Sequence, residues 1–370
     1  MPQAGRAPVL VAAGGTGGHL FPAEALAAAL RNRDVPVHLA TDRRAARYGG
    51  GFAEDTTHVI ASATFAARNP IAVARTAAML GLGLVQARAL LGQLRPAAVI
   101  GFGGYPTIPP VLAAAWRGVP SLVHDANAVI GRANRLLAPR VTAIATSFPD
   151  VFGQRPDLAA KATLTGNPVR PAVVAAAATP YPAPGDALRI LIFGGSQGAR
   201  IMADVVPAAV ALVEPGMRSR LAIVQQARDE DLARVRDAYA KLAVAAEVAP
   251  FFIDLPARMA ASHLIVSRSG AGTVAELAAL GRPAILVPLP HALDQDQFAN
   301  AGTLERVGAA LRLPQDAFTP RRLAAEIAAL AAAPQRLGAM AAAAGSLGRL
   351  DAADRLADLV LKVAAAGVTK

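Results

Sequence analysis

One histidine and two glycine-rich turns carry the first candidate chemistry of this 370-residue chain. The sequence GGTGGH (residues 14–19) follows the apolar run 8–13, and GGSQGA (residues 194–199) follows the apolar run 188–193. Each pattern predicts a strand, a tight turn and a helix whose first N–H groups could hold an anion or a sugar diphosphate. His19 would lie in the first turn of its helix. Its imidazole, with an ordinary pKa of ~6.5, can accept a proton near neutral pH.

Two further polar clusters follow predicted strands of the first half. The sequence GFGGY (residues 101–105) follows the apolar segment 97–100, and HDAN (residues 124–127) follows 121–123. Because ligands of open parallel sheets bind at the carboxyl ends of the strands, we expect both clusters beside the first glycine turn. A purely structural pair that holds loops is the alternative for His124 and Asp125. For His19 the alternative is helix capping or substrate binding.

The second half contains SRSGAGTVAE, residues 267–276, between a predicted strand and a predicted helix that ends at Gly281 and Pro283. The start of this helix could hold a diphosphate. The helix dipole supplies only ~0.3–1 kcal/mol there, so hydrogen bonds must supply the rest. Glu276 could accept hydrogen bonds from both hydroxyls of a ribose. A solvated helical glutamate is the alternative.

An acidic pair offers a weaker metal hypothesis. Asp294 and Asp296 are spaced as in a magnesium site that holds a nucleotide diphosphate. Helix termini and Arg170 already supply positive potential, so we expect no metal and favour Gln297 as a direct amide ligand.

Composition excludes several classes of protein. Apolar residues make up 54% and charged residues 17%, which excludes global disorder. The 37 basic and 26 acidic residues give a net charge of +11, which favours phosphates, nucleic acid or an acidic membrane as partners. Aromatic residues are only 4%, and no basic run is interleaved with them, so nucleic acid is not expected. The chain has no cysteine, which excludes disulfides, thiolate nucleophiles and cysteine-based zinc sites.

Hydropathy predicts a soluble cytoplasmic protein. The N-terminus does not read as a signal peptide, and no uninterrupted apolar run approaches ~20 residues. A helix opening with Asn69 as cap and Pro70 at its first position could still touch a membrane. Apolar residues and an arginine share one face of it, and an anionic leaflet would attract that face. An ordinary core helix with solvated arginines is the alternative. The candidate membrane-facing residues are Ile71, Arg75, Met79, Leu82 and the sole tryptophan, Trp116.

The order of elements predicts an α/β fold in two domains. At ~100–200 residues per domain, the length favours two domains, and strands alternate with helices as in parallel βαβ units. We expect a first domain over 1–168, a proline-rich linker over 169–186 and a second domain over 187–350. The remaining predicted strands are 35–40 and 141–145 in the first half, and 222–225, 248–252, 264–266 and 284–287 in the second.

Taken in order, these motifs resemble the MurG family of peptidoglycan glycosyltransferases over nearly the whole chain. The series is GGTGGH, GFGGY, HDAN, GNPVR (166–170), GGSQGA, FID (252–254) and SRSGAGTVAE. The family often has Glu and Gln where Asp125 and Ala126 stand, and it varies around 294–297. The resemblance implies a GT-B fold, in which two Rossmann-like domains face a cleft and a last helix (351–366) packs back on the first domain.

The resemblance also implies site residues. Ile253 would contact uracil through its backbone, Glu276 would hold the ribose, and His19 would act as the catalytic base. The diphosphate and the sugar donor would be bound by Thr16, Gly17, Gly18, Asn127, Arg170, Ser196, Ala271, Gly272, Thr273, Val274, Ala275 and Gln297. Acceptor contacts would come from Gly103, Gly104, Tyr105, His124 and Asp125.

The activity that the resemblance implies is an inverting transfer of N-acetylglucosamine. The donor is UDP-N-acetylglucosamine, and the acceptor is the C4 hydroxyl of undecaprenyl-pyrophosphoryl-N-acetylmuramyl-pentapeptide. We expect no cofactor and a peripheral location on the cytoplasmic face of an anionic bacterial inner membrane. The alternatives are a diacylglycerol galactosyltransferase and a UDP-sugar binder without turnover. A more distant one is an NAD-dependent oxidoreductase with Asp42 as the cofactor-binding acid.

Overall fold

The chain folds into two compact units. The computed structural model describes residues 6–15, 17–43, 52–63, 70–153, 155–195, 198–290 and 293–368. One unit comprises 1–170 together with 350–370, and the other comprises 171–349. Each is built on one parallel β-sheet, which confirms the predicted class of two Rossmann-like α/β domains.

The sheet of the first unit has seven parallel strands in the order β3-β2-β1-β4-β5-β6-β7. Its central strands are apolar and buried on both faces, as parallel sheets covered by helices require. The order places the carboxyl ends of β1, β4 and β5 side by side. The strands are β1 (Val9–Ala12), β2 (Val37–Thr41), β3 (Thr57–Val59), β4 (Ala98–Gly101), β5 (Ser121–Asp125), β6 (Ala143–Thr146) and β7 (Ala162–Leu164).

Helices cover both faces of this sheet. The last helix of the chain (Ala352–Val368), here the C-terminal helix, buries Leu356 and Val360 in the same core as Leu26 and Leu30. The C-terminal helix therefore completes a core to which the N-terminal part of this unit also contributes. The other helices of this unit are α1 (Gly17–Arg31), α2 (Pro70–Leu94), α3 (Ile108–Trp116), α4 (Arg132–Leu137) and α5 (Pro156–Ala159).

Helix α2 begins at Pro70, the predicted first helical position. By length and composition alone, its stretch from 72 to 94 could cross a membrane, with a mean hydropathy of 1.3 over an 18-residue window. This stretch was not predicted from the sequence, because polar residues interrupt its apolar run. Among the described residues, only the bent pair 320–331 and 334–346 passes the same test as a joined span. One face of α2 buries Ala87 and Leu91 in the core of the unit.

The second unit has a six-stranded parallel sheet in the order β10-β9-β8-β11-β12-β13. Its strands are β8 (Leu188–Phe193), β9 (Leu221–Gln226), β10 (Ala245–Ala249), β11 (Leu264–Ser267), β12 (Ala284–Leu286) and β13 (Ala310–Arg312). Its helices are α6 (Pro171–Ala176), α7 (Arg200–Leu212), α8 (Pro215–Arg218), α9 (Leu232–Lys241), α10 (Leu255–Ala261), α11 (Ala271–Leu280), α12 (Asp296–Arg306), α13 (Pro320–Ala331) and α14 (Pro334–Ser346).

The proline-rich segment 169–186 is tied to the second unit over much of its length. Residues 171–176 form α6, and the buried Arg282 donates hydrogen bonds to the carbonyls of Thr179 and Pro180 at 3.0 and 3.2 Å. Backbone carbonyls thus satisfy this guanidinium, which has no carboxylate among its described partners.

Candidate active site

His19 lies where the ends of β1 and β4 meet. It is the third residue of α1, and its ring lies against the backbone of two glycines that follow β4. A Cβ atom on Gly103 would lie 3.2 Å from Cε1 of the ring, and one on Gly104 would lie 3.4 Å from Cδ2. Both glycines have positive φ angles, 89° and 75°, which side chains rarely adopt. The absence of side chains at Gly103 and Gly104 therefore leaves the space that the imidazole of His19 occupies.

Burial keeps the His19 ring neutral. It lowers the pKa of His19, and the nearby carbonyl of Phe102 offsets part of that shift. Nδ1 is buried and makes no hydrogen bond within the described part of the chain. A neutral ring at pH 7 can accept a proton, as a general base must.

The Asp125 carboxylate, at the end of β5, organises the loop that follows. It is buried and accepts hydrogen bonds from the backbone N–H groups of Asn127 and Gly131 at 3.0 and 2.8 Å. A third comes from Nδ2 of Asn134 at 3.0 Å. These donors compensate the cost of burying the charge. The geometry favours a positioning role, the alternative that the sequence left open.

His124 is a buried partner of the GNPVR segment. Its Nε2 lies 3.2 Å from the carbonyl oxygen of Gly166, and because a carbonyl can only accept, this nitrogen carries the proton. Burial, with a smaller contribution from the nearby His19, lowers the pKa of His124 to about 4. His124 therefore links the end of β5 to the segment that leads to Arg170.

Several buried polar atoms at this edge have no described partner. They include Nδ1 of His19, Nδ1 of His124 and Oδ1 of Asn134, and both amide atoms of Asn167. Leaving one such atom unpaired costs about 1–3 kcal/mol, so water or a polar ligand is the expected partner. Asn134 was not singled out in the sequence, because an asparagine inside a helix pattern carries no signal of its own.

The remaining first-unit candidates surround the start of α1. The Arg170 guanidinium carbon lies 4.8 Å from the centre of the Phe21 ring, two residues after His19, a cation–π arrangement. Gly17 and Gly18 open α1, and Tyr105 begins a short 3₁₀ helix, Tyr105–Thr107. Asn127 is half-buried beside Asp125. Thr16 lies outside the described residues.

Helix α11 presents an open N-terminus. Gly270 precedes it without a side-chain cap, and no described side chain is seen to accept from the N–H groups of the first turn. These belong to the predicted segment from Ala271 to Val274, with Ala275 following. The helix ends at Gly281 in the left-handed conformation, as predicted. Glu276 is only 8% exposed, so the alternative of a solvated helical glutamate is wrong.

Side chains hold the segments on either side of this helix start. Oγ of Ser269 donates to the carbonyl of Gln297 at 2.8 Å, and Oε1 of Gln297 accepts from the N–H of Leu289 at 2.9 Å. Arg268 donates to the carbonyls of Val287 and Pro288, each at 3.0 Å. Gln297 thus lies beside the turn before α11 with its amide oxygen already engaged.

The glycine turn after β8 is held from the end of β9. The Gly194 N–H donates to Oε1 of Gln226 at 3.0 Å, and Nη2 of Arg228 donates to the carbonyl of Gly198 at 3.3 Å. Neither Gln226 nor Arg228 was singled out in the sequence. The predicted phosphate contact Ser196 lies outside the described residues.

Ile253, a predicted donor contact, lies almost fully exposed on the second unit. Its surface is 90% accessible, and its backbone N–H and C=O make no hydrogen bond to any described residue. The neighbouring Phe252 is buried beneath the Arg258 guanidinium, 4.5 Å from the ring centre. A buried anchor next to a free peptide group could present that group to a planar base.

Asp294 and Asp296 do not form a recognisable metal centre. In the part of the chain that the structure describes, no group of three or more His, Asp or Glu side chains is placed to hold a metal ion. Burial, with a smaller contribution from Asp294, raises the pKa of Asp296.

Sequence comparison defines the class to which this fold and these sites belong. The N-terminal domain of glycosyltransferase family 28 matches residues 9–146, and the C-terminal domain of that family matches residues 189–356. The two matches together cover most of the chain, the first within the first unit and the second almost entirely within the second. The chain therefore has both domains of a family 28 glycosyltransferase.

Individual relatives narrow the class. The chain is 63% identical over 358 residues to a protein of Rhodopseudomonas palustris (strain BisB18), with 96% of each chain covered. It is 61% identical to a protein of Bradyrhizobium diazoefficiens, covering 96% of this chain and 98% of that one. Both are named UDP-N-acetylglucosamine--N-acetylmuramyl-(pentapeptide) pyrophosphoryl-undecaprenol N-acetylglucosamine transferase. The chain belongs to that family, MurG.

Solved structures agree with this assignment. Acinetobacter baumannii MurG superimposes with a TM-score of 0.78 at 28% identity, covering 96% of this chain and 99% of that one. The UDP-GlcNAc 2-epimerase from Neisseria meningitidis gives a TM-score of 0.68 at 15% identity, covering 96% and 100%, and shares the fold alone. The family assignment favours neither the diacylglycerol galactosyltransferase nor the oxidoreductase that the sequence left open.

His124 should make the first unit less stable in acid. Its pKa is about 4 in the folded chain against 6.5 in a free side chain, so below pH 6.5 the unfolded state binds a proton that the folded state does not. Stability then falls as pH drops from 6.5 towards 4, by about 3 kcal/mol for this group. Hydrogen exchange of peptides from β5 measures that stability. His124→Gln should remove this pH dependence, and a difference from the wild type that is constant with pH would contradict the assignment.

Proposed function

We propose that this chain transfers N-acetylglucosamine from UDP-N-acetylglucosamine to the C4 hydroxyl of a lipid-linked N-acetylmuramyl-pentapeptide. The observation that carries the proposal is its identity of 61–63%, over nearly the full chain, to relatives named for that transfer. The reaction makes the disaccharide–pentapeptide lipid of peptidoglycan synthesis. In this proposal each unit has its own role.

The second unit binds the nucleotide. The open N-terminus of α11 offers backbone N–H groups and a positive dipole end to the diphosphate, together with the glycine turn after β8. Glu276, buried in the next turn, accepts hydrogen bonds from the ribose hydroxyls. The unpaired backbone of Ile253 meets the uracil.

The first unit supplies the base. His19 is neutral because its pKa is lowered, and the backbone of Gly103 and Gly104 fixes its ring. Asp125 and His124 position the surrounding loops through hydrogen bonds to backbone groups. Donor contacts of Thr16, Gly17, Gly18, Asn127 and Arg170, and acceptor contacts of Tyr105, stay predictions of the resemblance.

The chemistry is one displacement. The acceptor oxygen forms a bond to the anomeric carbon while the bond from that carbon to the diphosphate oxygen breaks, and UDP leaves with the bonding electron pair. The hydroxyl proton passes to the imidazole of His19. Attack opposite to the leaving group inverts the anomeric centre and gives a β-1,4 bond. N–H donors already in place stabilise the charge that develops on the leaving phosphate.

We infer a peripheral location on the cytoplasmic face of an anionic membrane. Helix α2 exposes Leu82 and Val85, and the 61% exposed Trp116 ends α3, where the Arg117 side chain donates to the carbonyl of Arg88 on α2. Arg75 is exposed and Met79 is half-buried on the same helix. The side chain of Ile71 lies outside the described part. Exposed apolar side chains beside an arginine suit reversible binding to acidic lipid.

Replacing His19 tests the base. His19→Ala should lower kcat by about 10²–10⁴-fold, because the hydroxyl loses its proton acceptor. His58→Ala is the matched control, since His58 lies on β3 at the edge of the same sheet and pairs with His38 at 3.0 Å. UDP release from UDP-N-acetylglucosamine in the presence of the lipid acceptor measures turnover. A fall smaller than tenfold would rule out the role.

Glu276 should affect donor binding rather than chemistry. Glu276→Gln removes a charged acceptor of ribose hydrogen bonds, each worth roughly 1.5–3 kcal/mol, so KM for UDP-N-acetylglucosamine should rise at least tenfold while kcat changes little. Glu326→Gln, which breaks an ion pair with Arg322 on α13, serves as the control in the same unit. An unchanged KM in Glu276→Gln would reject ribose binding.

Membrane association should depend on both lipid charge and the exposed residues of α2. Arg75→Ala should weaken binding to vesicles containing phosphatidylglycerol about fivefold, since an arginine near an anionic surface contributes ~1 kcal/mol. Leu82→Ser with Val85→Ser should weaken binding further, whereas Leu212→Ser, at an exposed leucine of the second unit, should not. Equal binding of the wild type to neutral and acidic vesicles would exclude the electrostatic part.

A further inference from the structure

Gln226 is the last residue of β9, which pairs with β8 on one side and with β10 on the other. The loops that follow β8 and β10 are the two proposed to bind the nucleotide. Because the three strands are parallel, the loop after β8 and the loop after β10 both leave the sheet beside Gln226. A side chain at the end of β9 can therefore reach both loops.

The side-chain amide of Gln226 makes one hydrogen bond to each of the two loops. Its Oε1 accepts the N–H of Gly194 at 3.0 Å, and its Nε2 donates to the carbonyl of Pro250 at 3.1 Å. The residue is only 8% exposed. An amide is the uncharged group that combines an acceptor and donors at this spacing.

The two loops are those proposed to hold the two ends of the nucleotide. Gly194 is the first residue of the glycine turn assigned to the diphosphate, and Pro250 comes three residues before Ile253, assigned to the uracil. Space in the turn is tight, since a Cβ atom on Gly194 would lie 2.2 Å from the backbone nitrogen of Ala199. A shift of Gly194 would therefore displace Ala199, at the other end of the turn.

We propose that Gln226 is a positioning residue. It sets the spacing between the glycine turn after β8, here the diphosphate turn, and the loop after β10 that contains Ile253 and would meet the uracil, here the base loop. The inference rests on the proposed function and deepens it. Gln226 does not touch the nucleotide; it fixes the distance that a ligand must span to fill both loops together. It therefore supports binding of a whole nucleoside diphosphate more than binding of either fragment.

The preceding residue offers a matched control. Gln225 is also a buried glutamine of β9, but successive side chains of a strand point to opposite faces. Its amide donates to the carbonyl of Met202 on α7 at 3.2 Å and accepts from the hydroxyl of Tyr239 on α9. Gln225 thus makes two hydrogen bonds to helices where Gln226 makes two to ligand loops.

The first experiment compares Gln226→Met with Gln225→Met. Both remove two buried hydrogen bonds at similar volume, so both should lower thermal stability. Only Gln226→Met should weaken UDP binding at least tenfold by calorimetry and raise KM for UDP-N-acetylglucosamine, with kcat within twofold. UDP affinity within twofold of the wild type in Gln226→Met, or an equal loss in Gln225→Met, would overturn the proposal.

Ligand fragments separate positioning from general damage. Uridine and inorganic pyrophosphate each need only one of the two loops. In Gln226→Met, UDP affinity should fall by a larger factor than the affinity for uridine or for pyrophosphate, followed by NMR titration. Equal loss for all three ligands would mean that Gln226 only stabilises the unit.

A glutamate at this position supplies a pH signature. In Gln226→Glu one carboxylate oxygen can still accept from Gly194, but the other faces the Pro250 carbonyl and repels it until it is protonated. Burial raises the pKa of such a carboxyl, so UDP affinity relative to the wild type should recover as pH falls from 8 towards 5. The charged groups near this turn, Arg228 and Glu230, are unchanged in the variant. A relative affinity that is flat with pH would contradict the role.

The outcomes also separate this proposal from the proposed function. If the wild-type chain does not bind UDP, the donor site itself is wrong. If the wild type binds UDP and Gln226→Met binds it equally well, the donor site stands and only the positioning role fails.

Discussion

The sites of this protein depend on one constraint: polar groups at the carboxyl edge of a parallel sheet have no strand or helix to pair with. Each loop leaving that edge exposes peptide groups, and each following helix begins with N–H groups that lack partners. In the second unit these donors remain uncapped at α11, or are met by side chains such as Gln226. The edge is therefore suited to anions, because the fold leaves donors there.

The first unit meets the same constraint with buried side chains. The Asp125 carboxylate takes up two backbone N–H groups of its own loop, and His124 donates to the Gly166 carbonyl. Backbone groups of these loops thus engage both side chains. Other polar atoms at this edge, among them Nδ1 of His19 and both amide atoms of Asn167, are buried without a partner in the described structure. These are the atoms left for water or a substrate.

Local patterns in the sequence predicted the two sheets, both glycine turns and the open helix start, because periodicity and glycine spacing encode them. Long-range partners were not predictable. Asn134 and Gln226 act through residues that are distant in sequence or on other strands, and nothing nearby in the chain marks them. The strands β3, β7 and β13 were missed because they lie at the edges of the sheets, where their residues are mostly half-buried or exposed and form no buried apolar run. The predicted strand 248–252 was wrong beyond Ala249, since an apolar FF pair, Phe251 and Phe252, continues into the base loop.

A histidine with a lowered pKa poses an apparent conflict for base catalysis. The same burial that keeps His19 unprotonated at pH 7 also makes it a weaker base. The conflict resolves if proton transfer accompanies bond formation, because the hydroxyl becomes strongly acidic only as its oxygen bonds to the anomeric carbon. A weak base then suffices at that moment, and its neutral form is fully available beforehand. Tight packing of Gly103 and Gly104 against the ring fixes its position, which a proton acceptor also requires.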